Sequence, residues 1–405
     1  MSNSSGRAAA GALLGAMAIS GLVFFGGCPQ PIDAVPCGDD GGLHPGADGG
    51  SGSDGGEVDT DAGSNERDAG VAAGTDAGTD AGVISRADAG PFSWAVIPGT
   101  GTDQTVTAIH GTSPHNVYIV TSDGEILRST GGAFSKVLTL PGATPPVLQG
   151  VWVTPNGNVF AGGYNTLVAC TNGDCAQASD FTITSTADLS PAYGSIEGLC
   201  GHGNDTVYAV GGFGGEGRLW AYDFSAGKWV VPIPNTQAGY ARSCFIADNG
   251  DAFVAGAYAR LLRVTPAFLA FVEPIIASDE FDPSDWLSYA VVGANGRFFA
   301  TGGGKKIVER DNATRTWNLV ASGNSYYENY ALATFAPDEI YAAGSPDLNR
   351  SLQRFDGVKW TNIPDSDRRA LPYWMTLEAM WMPDADTIFL AGERSSDAIV
   401  VMGTR

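Results

Sequence analysis

Positive charge is scarce in this chain of 405 residues: Lys and Arg total 22 against 44 Asp and Glu, a formal net charge of −22. No basic stripe relieves the deficit, so nothing could release the counterions of DNA or RNA, and nucleic acid is excluded as a partner. Histidine is scarcer, with four residues, His44, His110, His115 and His202. The last three sit in or beside first-to-second-strand regions of the repeats described below, and they read as turn residues. A metal site wants convergent His or carboxylates at ligand spacing, so no metal is expected. A Gly-x-Ser-x-Gly elbow, a phosphate loop and a His-Glu-x-x-His helix are all missing. No catalytic residue and no cofactor are therefore nominated. What the chain has is Gly (56) and Pro (22) in excess of what a helical bundle carries, with 43% hydrophobic and 10% aromatic residues to build a core. That composition predicts strands and turns.

Arg7 is the only charge before Asp33, and residues 8–27 are uninterruptedly apolar or small. This pattern reads as an export signal. It ends in Phe25-Gly26-Gly27-Cys28, which resembles the lipobox of bacterial lipoproteins, with Phe25 where that family favours Leu. The resemblance implies a signal peptide over 1–27 and a lipidated Cys28. An uncleaved anchor and plain cleavage are the alternatives, since about 20 apolar residues span a bilayer. Pro29 after the Cys, instead of Asp, favours the outer membrane with either leaflet open.

Residues 28–91 read as a disordered tether. Asp-Ala-Gly recurs at 61–63, 68–70, 76–78, 80–82 and 88–90, and 13 acidic residues outnumber Arg67 and Arg86. Such a segment has no apolar period with which to form a core, and its like charges extend it. The acidic spacing lacks the closing Glu of a calcium loop.

From residue 92 one pattern recurs seven times: a hydrophobic pair ending in an aromatic, then Gly three residues later. The aromatics are Tyr118, Phe160, Tyr208, Phe253, Phe299, Tyr341 and Phe389, spaced by 42, 48, 45, 46, 42 and 48 residues. Gly163, Gly211, Gly256, Gly302, Gly344 and Gly392 follow six of them, and Thr121 the first. The period is that of four-stranded propeller blades, and a Gly at a fixed strand position predicts a bulge or a close backbone approach. Tight polar turns such as Thr154-Pro-Asn-Gly-Asn158 precede each aromatic and mark a hairpin. Fourth strands are marked by Phe134, Phe181, Trp229, Phe271, Trp317 and Trp360, and the seventh marker is missing. Residues 91–98 match the fourth-strand text and put Trp94 in that place. The expected fold is therefore an all-β, seven-bladed β-propeller over 92–405, closed by an N-terminal outer strand.

Residues 207–229 (VYAVGGFGGEGRLWAYDFSAGKW) resemble a kelch motif, and 109–134 resemble neuraminidase-type (Asp-box-like) and photosystem-assembly-factor-like propellers. The resemblance implies architecture only, because fold does not carry function with it. Neither the Tyr/His copper set of kelch-like oxidases nor the Arg cluster with a Tyr/Glu pair of sialidase-like hydrolases can be matched residue by residue.

With Cys28 lipidated, five Cys remain. Cys170 and Cys175 flank a turn sequence, which predicts a local disulfide in an oxidising compartment. Cys200 and Cys244 fall on inner strands of neighbouring blades, where a bridge and two buried thiols are both open. Cys37 is left over.

Loops on one face are short, whereas those expected on the other are long and aromatic: 184–194, 211–218, 277–286, 321–330 and 364–375. Tyr193, Phe281, Trp286, Tyr326, Tyr327, Tyr330, Arg368, Arg369, Tyr373 and Trp374 make this the candidate binding face. Inward folding of the aromatics to plug the loops is the alternative. The function expected is a non-enzymatic protein- or glycan-binding scaffold of the cell envelope, anchored by lipid alone. The alternative is an extracytoplasmic carbohydrate-active or other enzyme with a site on the propeller axis. A blank axial channel would favour binding, and clustered carboxylates, Arg or His with perturbed pKa would favour catalysis.

Overall fold

A computed structural model of the chain describes residues 90–98, 103–143, 145–189, 194–236, 239–257, 260–276, 290–294, 296–302, 306–321, 329–344, 352–364, 367, 371–372, 375–395 and 397–405. The expected signal, the expected tether up to residue 89, Cys28, Cys37 and His44 lie outside them. Among the described residues no helix is long and apolar enough to cross a membrane.

Seven four-stranded antiparallel sheets form the fold, as the repeat predicts. Blade 1 is β1's neighbour in sequence, so the strands are numbered from the chain start: β1 is Ser93–Val96 and β2 to β5 are Val106–Ser113, Asn116–Thr121, Glu125–Ser129 and Ser135–Thr139. Blade 2 holds β6 to β9 (Leu148–Val153, Val159–Gly163, Thr166–Cys170, Thr182–Ser185) and blade 3 holds β10 to β13 (Ser195–His202, Thr206–Phe213, Glu216–Asp223, Lys228–Ile233). Blade 4 holds β14 to β17 (Ala241–Ile246, Ala252–Gly256, Arg260–Val264, Ala270–Glu273) and blade 5 holds β18 to β21 (Ala290–Ala294, Arg297–Thr301, Ile307–Asp311, Thr316–Ala321). Blade 6 holds β22 to β25 (Asn329–Ala336, Glu339–Gly344, Leu352–Phe355, Trp360–Asn362). Blade 7 runs β26, β27, β28 (Met375–Asp384, Thr387–Arg394, Asp397–Thr404) and is completed by β1, giving the order β1-β28-β27-β26. The inner strands β2, β6, β10, β14, β18, β22 and β26 follow one another around the axis, and β26 packs back on β2.

Seven apolar clusters hold the ring, one at each blade junction among the described residues. All seven marker aromatics are buried, and each belongs to the cluster against the next blade: Tyr118 packs toward Val153 and Val159, Phe160 toward Val207 and Trp220. The repeated aromatic is thus the wedge between blades. Two disulfides are present among the described residues. Cys170–Cys175 closes the β8-to-β9 turn, and Cys200–Cys244 ties β10 to β14 across a blade junction with Cα atoms 5.6 Å apart. The second resolves the alternatives left open for that pair.

One reading is corrected. Residues 211–218 are not a long loop, because β11 and β12 continue to a two-residue turn at Gly214 and Gly215, both at positive φ as a tight hairpin requires. Phe271 marks the fourth strand of blade 4 as expected, yet it is 45% exposed. It pairs with Arg263, itself opposite the marker Phe253, whereas Trp229 and Trp360 sit opposite the neighbours of their marker partners. A shift of one residue turns a strand side chain to the other face. Arg263 covers the exposed ring at 4.9 Å.

Candidate functional site

The predicted Gly bulge exists, and its consequence lies on the partner strand. Gly163, Gly211, Gly256, Gly344 and Gly392 pair with Leu148, Ile196, Ala241, Asn329 and Leu377, and immediately beyond each of these the inner strand skips a residue. Blade 1 does the same with Thr121 opposite Val106. The Gly is needed for close approach: a Cβ on Gly211 would stand 1.8 Å from the Ser195 carbonyl oxygen. The skipped residues are Thr107, Gln149, Glu197, Arg242, Tyr330 and Glu378. A bulged residue leaves the ladder and its side chain is re-aimed. All six line one axial cavity of about 800 Å³.

The ring lies toward the ends at which the chain enters the inner strands, the side of the blade-to-blade connections. Thr107 Oγ1 donates to the Leu148 carbonyl at 2.6 Å, linking blades 1 and 2. Glu197 accepts from Ser195 Oγ at 2.8 Å and Tyr240 OH at 2.7 Å, and with its amide turned to donate Gln149 reaches the same carboxylate at 2.6 and 3.1 Å. Burial, with Glu197 adding to it, pushes the Tyr240 phenol up to about 12. The Arg242 guanidinium lies 6.0 Å from the Tyr240 ring centre. Burial first, and the charge of Glu393 second, raise the Glu378 carboxyl to about 7. Glu393 in turn accepts from Thr105 Oγ1 at 2.5 Å.

Further along the inner strands aromatic side chains line the cavity. His110 stacks on Trp152 with centroids 4.0 Å apart and tilts against Trp381 at 5.3 Å. Burial lowers its pKa to about 3, so the ring is neutral. Val153 N–H donates to Nδ1 at 3.1 Å, which leaves the proton on Nε2. His110 is therefore a channel residue on β2, where sequence placed a turn residue, while His115 and His202 are exposed. Among the described residues no group of three or more His, Cys, Asp or Glu could hold a metal.

Of the ten candidate face residues only Tyr330 is described. It sits on β22 with its side chain in the axial cavity, a strand position in place of the loop expected. Tyr193, Phe281, Trp286, Tyr326, Tyr327, Arg368, Arg369, Tyr373 and Trp374 lie outside the described residues. The other five ring residues were missed, although each stands eleven residues before a marker aromatic. That constant offset was the available signal, and the varied residue types hid it.

No protein family and no curated protein matches the chain in sequence. Solved structures match in fold. YCF48 bound to D1 peptide superposes with a TM-score of 0.58 at 16% identity, over 78% of this chain and 96% of that one. The WD40 repeats of RRP9 give 0.60 at 10% identity, over 78% and 99%. Virginiamycin B lyase from Staphylococcus aureus with quinupristin gives 0.59 at 12% identity, over 78% and 99%. These likenesses establish the propeller architecture.

Proposed function

We propose that this chain is a cell-envelope lipoprotein whose propeller is a non-enzymatic binding module for a protein or glycan, with the ligand taken at the mouth of the axial cavity. The ring of six bulge residues carries this reading: a backbone device repeated in six of the seven blades aims hydrogen-bonding groups at one volume. Export and anchoring rest on residues 8–28, and the acidic segment after Cys28 holds the propeller away from the outer membrane. The aromatic and arginine side chains of the connecting segments, Trp286, Tyr327 and Trp374 among them, belong to the same recognition face. The YCF48 complex, a peptide held on this architecture, supports the suitability of the scaffold.

The channel is not blank, and this favours the enzyme as second reading. A carboxyl raised to about 7 beside Glu393, in a cavity with Glu197 and Arg242, has the character of a general acid. That a lyase shares the propeller architecture supports this second reading.

Affinity capture from membranes with the full chain as bait tests the binding site. Thr107→Trp, which fills the ring, should abolish capture, and Ala at Trp286, Tyr327 and Trp374 should weaken it by more than about 2 kcal/mol each. Asn156→Ala and Asp384→Ala on the opposite turns should change little. The reverse pattern would place recognition on the other face.

A further inference from the structure

Resting on the axial-site reading, the ligand class can be named from the chemistry of the wall. The six ring residues present hydroxyls (Thr107, Tyr330), an amide (Gln149), a guanidinium (Arg242) and two carboxyl groups (Glu197, Glu378) around a cavity of about 800 Å³. That volume suits a small organic ligand, and the wall offers donors and acceptors in mixed order. The formal charges of Glu197 and Arg242 cancel. Glu378, raised by burial and by Glu393 to about 7, is partly protonated at neutral pH and can donate as well as accept. An anionic guest would leave water without meeting a net countercharge, a costly exchange, and a cationic one would share the ring with the Arg242 guanidinium. Deeper in, the Nε2–H of His110 has no acceptor among the described residues, and the edges of Trp152 and Trp381 add apolar surface beside it. A guest that suits this wall carries many hydroxyls, an apolar C–H face and no charge.

We propose that the axial cavity binds a neutral polyhydroxylated ligand, the terminal sugar residue of a glycan. Vicinal hydroxyls would donate to Glu197 and accept from Arg242, while a further oxygen would accept from His110.

The test is titration of the full chain with glucose, galactose, N-acetylglucosamine and the β-1,4-linked trimer of the last, followed by tryptophan fluorescence and calorimetry. At least one sugar should bind saturably. Glu197→Gln, which keeps the side-chain volume, and Thr107→Trp should each weaken binding by about ten-fold or more. Asn249→Ala on the opposite face should leave it unchanged. Tighter binding of the trimer than of its monomer marks a glycan end as the source, and equal binding marks a free sugar. Absence of sugar binding, with circular dichroism showing a folded chain, overturns the inference. Saturable binding of a lysine-rich or aspartate-rich peptide that Thr107→Trp abolishes, with no sugar response, would likewise overturn it while upholding the axial site. Membrane capture insensitive to Thr107→Trp, with no sugar response, would overturn the axial site as well. Cleavage of the trimer would support the sugar class and overturn the non-enzymatic reading.

Discussion

Trp94 packs against Gly403, its register partner on β28: a Cβ on Gly403 would come 2.7 Å from the indole. The pairing of β1 with β28 closes the ring and buries Trp94 in the cluster between blades 6 and 7. Trp94→Ala should cost about 3–5 kcal/mol by the usual loss on large-to-small core change. A chain beginning at residue 100 should melt well below one beginning at residue 88, because it also exposes the β28 edge. Equal melting temperatures would refute closure.

Gly211→Ala should destabilise the protein by about 1–3 kcal/mol, since its Cβ would collide with the Ser195 carbonyl and the bulge would have to move. Gly132→Ala, with nothing within 4 Å of the new Cβ, should be nearly neutral. Urea unfolding of both variants decides the point, and equal losses would show that close approach is not why Gly stands at this position.

Glu378 gives stability a pH dependence whose sign is opposite to that of a salt-bridged carboxylate. Its folded-state pKa, about 7, lies above the ordinary 4.5. The stability it contributes is complete below about pH 4.5 and is lost as pH rises through 7. Glu378→Gln should therefore be more stable than the parent at pH 8, by about 1–3 kcal/mol after allowance for partial exposure, with the gap closing toward pH 4.5. Parallel pH–stability curves would contradict this.

Glu273 sits buried between blades 4 and 5. It accepts from Arg310 Nε and Nη2, both at 2.6 Å, and from Trp317 Nε1 at 3.0 Å. Glu273→Ala strips a buried guanidinium of its counter-ion and should cost about 3–5 kcal/mol. Denaturant unfolding measures it, and a loss under about 1 kcal/mol would mean that water or Asn312 compensates.

For the anchor, metabolic labelling with a fatty acid should mark the protein, and Cys28→Ala should abolish the label. Membrane attachment that persists in the unlabelled variant would support an uncleaved anchor instead.

Architecture was legible because its determinants are local or repeated. The aromatic at a period of 42 to 48 residues, the polar turn before it and the Gly after it recur in the text itself, and the surplus strand around Trp94 answers the strand missing after Met402. The Cys170–Cys175 bridge was legible for the same reason. Only the tertiary structure decided what faces the axis. In a strand of period two, one skipped residue reverses which side chains point inward, and the bulges opposite the glycines do this in six blades. Thus Glu197 and Glu378, with nothing in their neighbouring residues to set them apart, meet in one cavity, and Tyr330 belongs to a strand instead of a loop. His110 acquired its low pKa from Trp152 and Trp381, which come from blades 2 and 7 and meet it only when the ring closes. Strand periodicity is written along the chain, whereas burial and electrostatics around an axis arise from groups that only closure of the ring brings together.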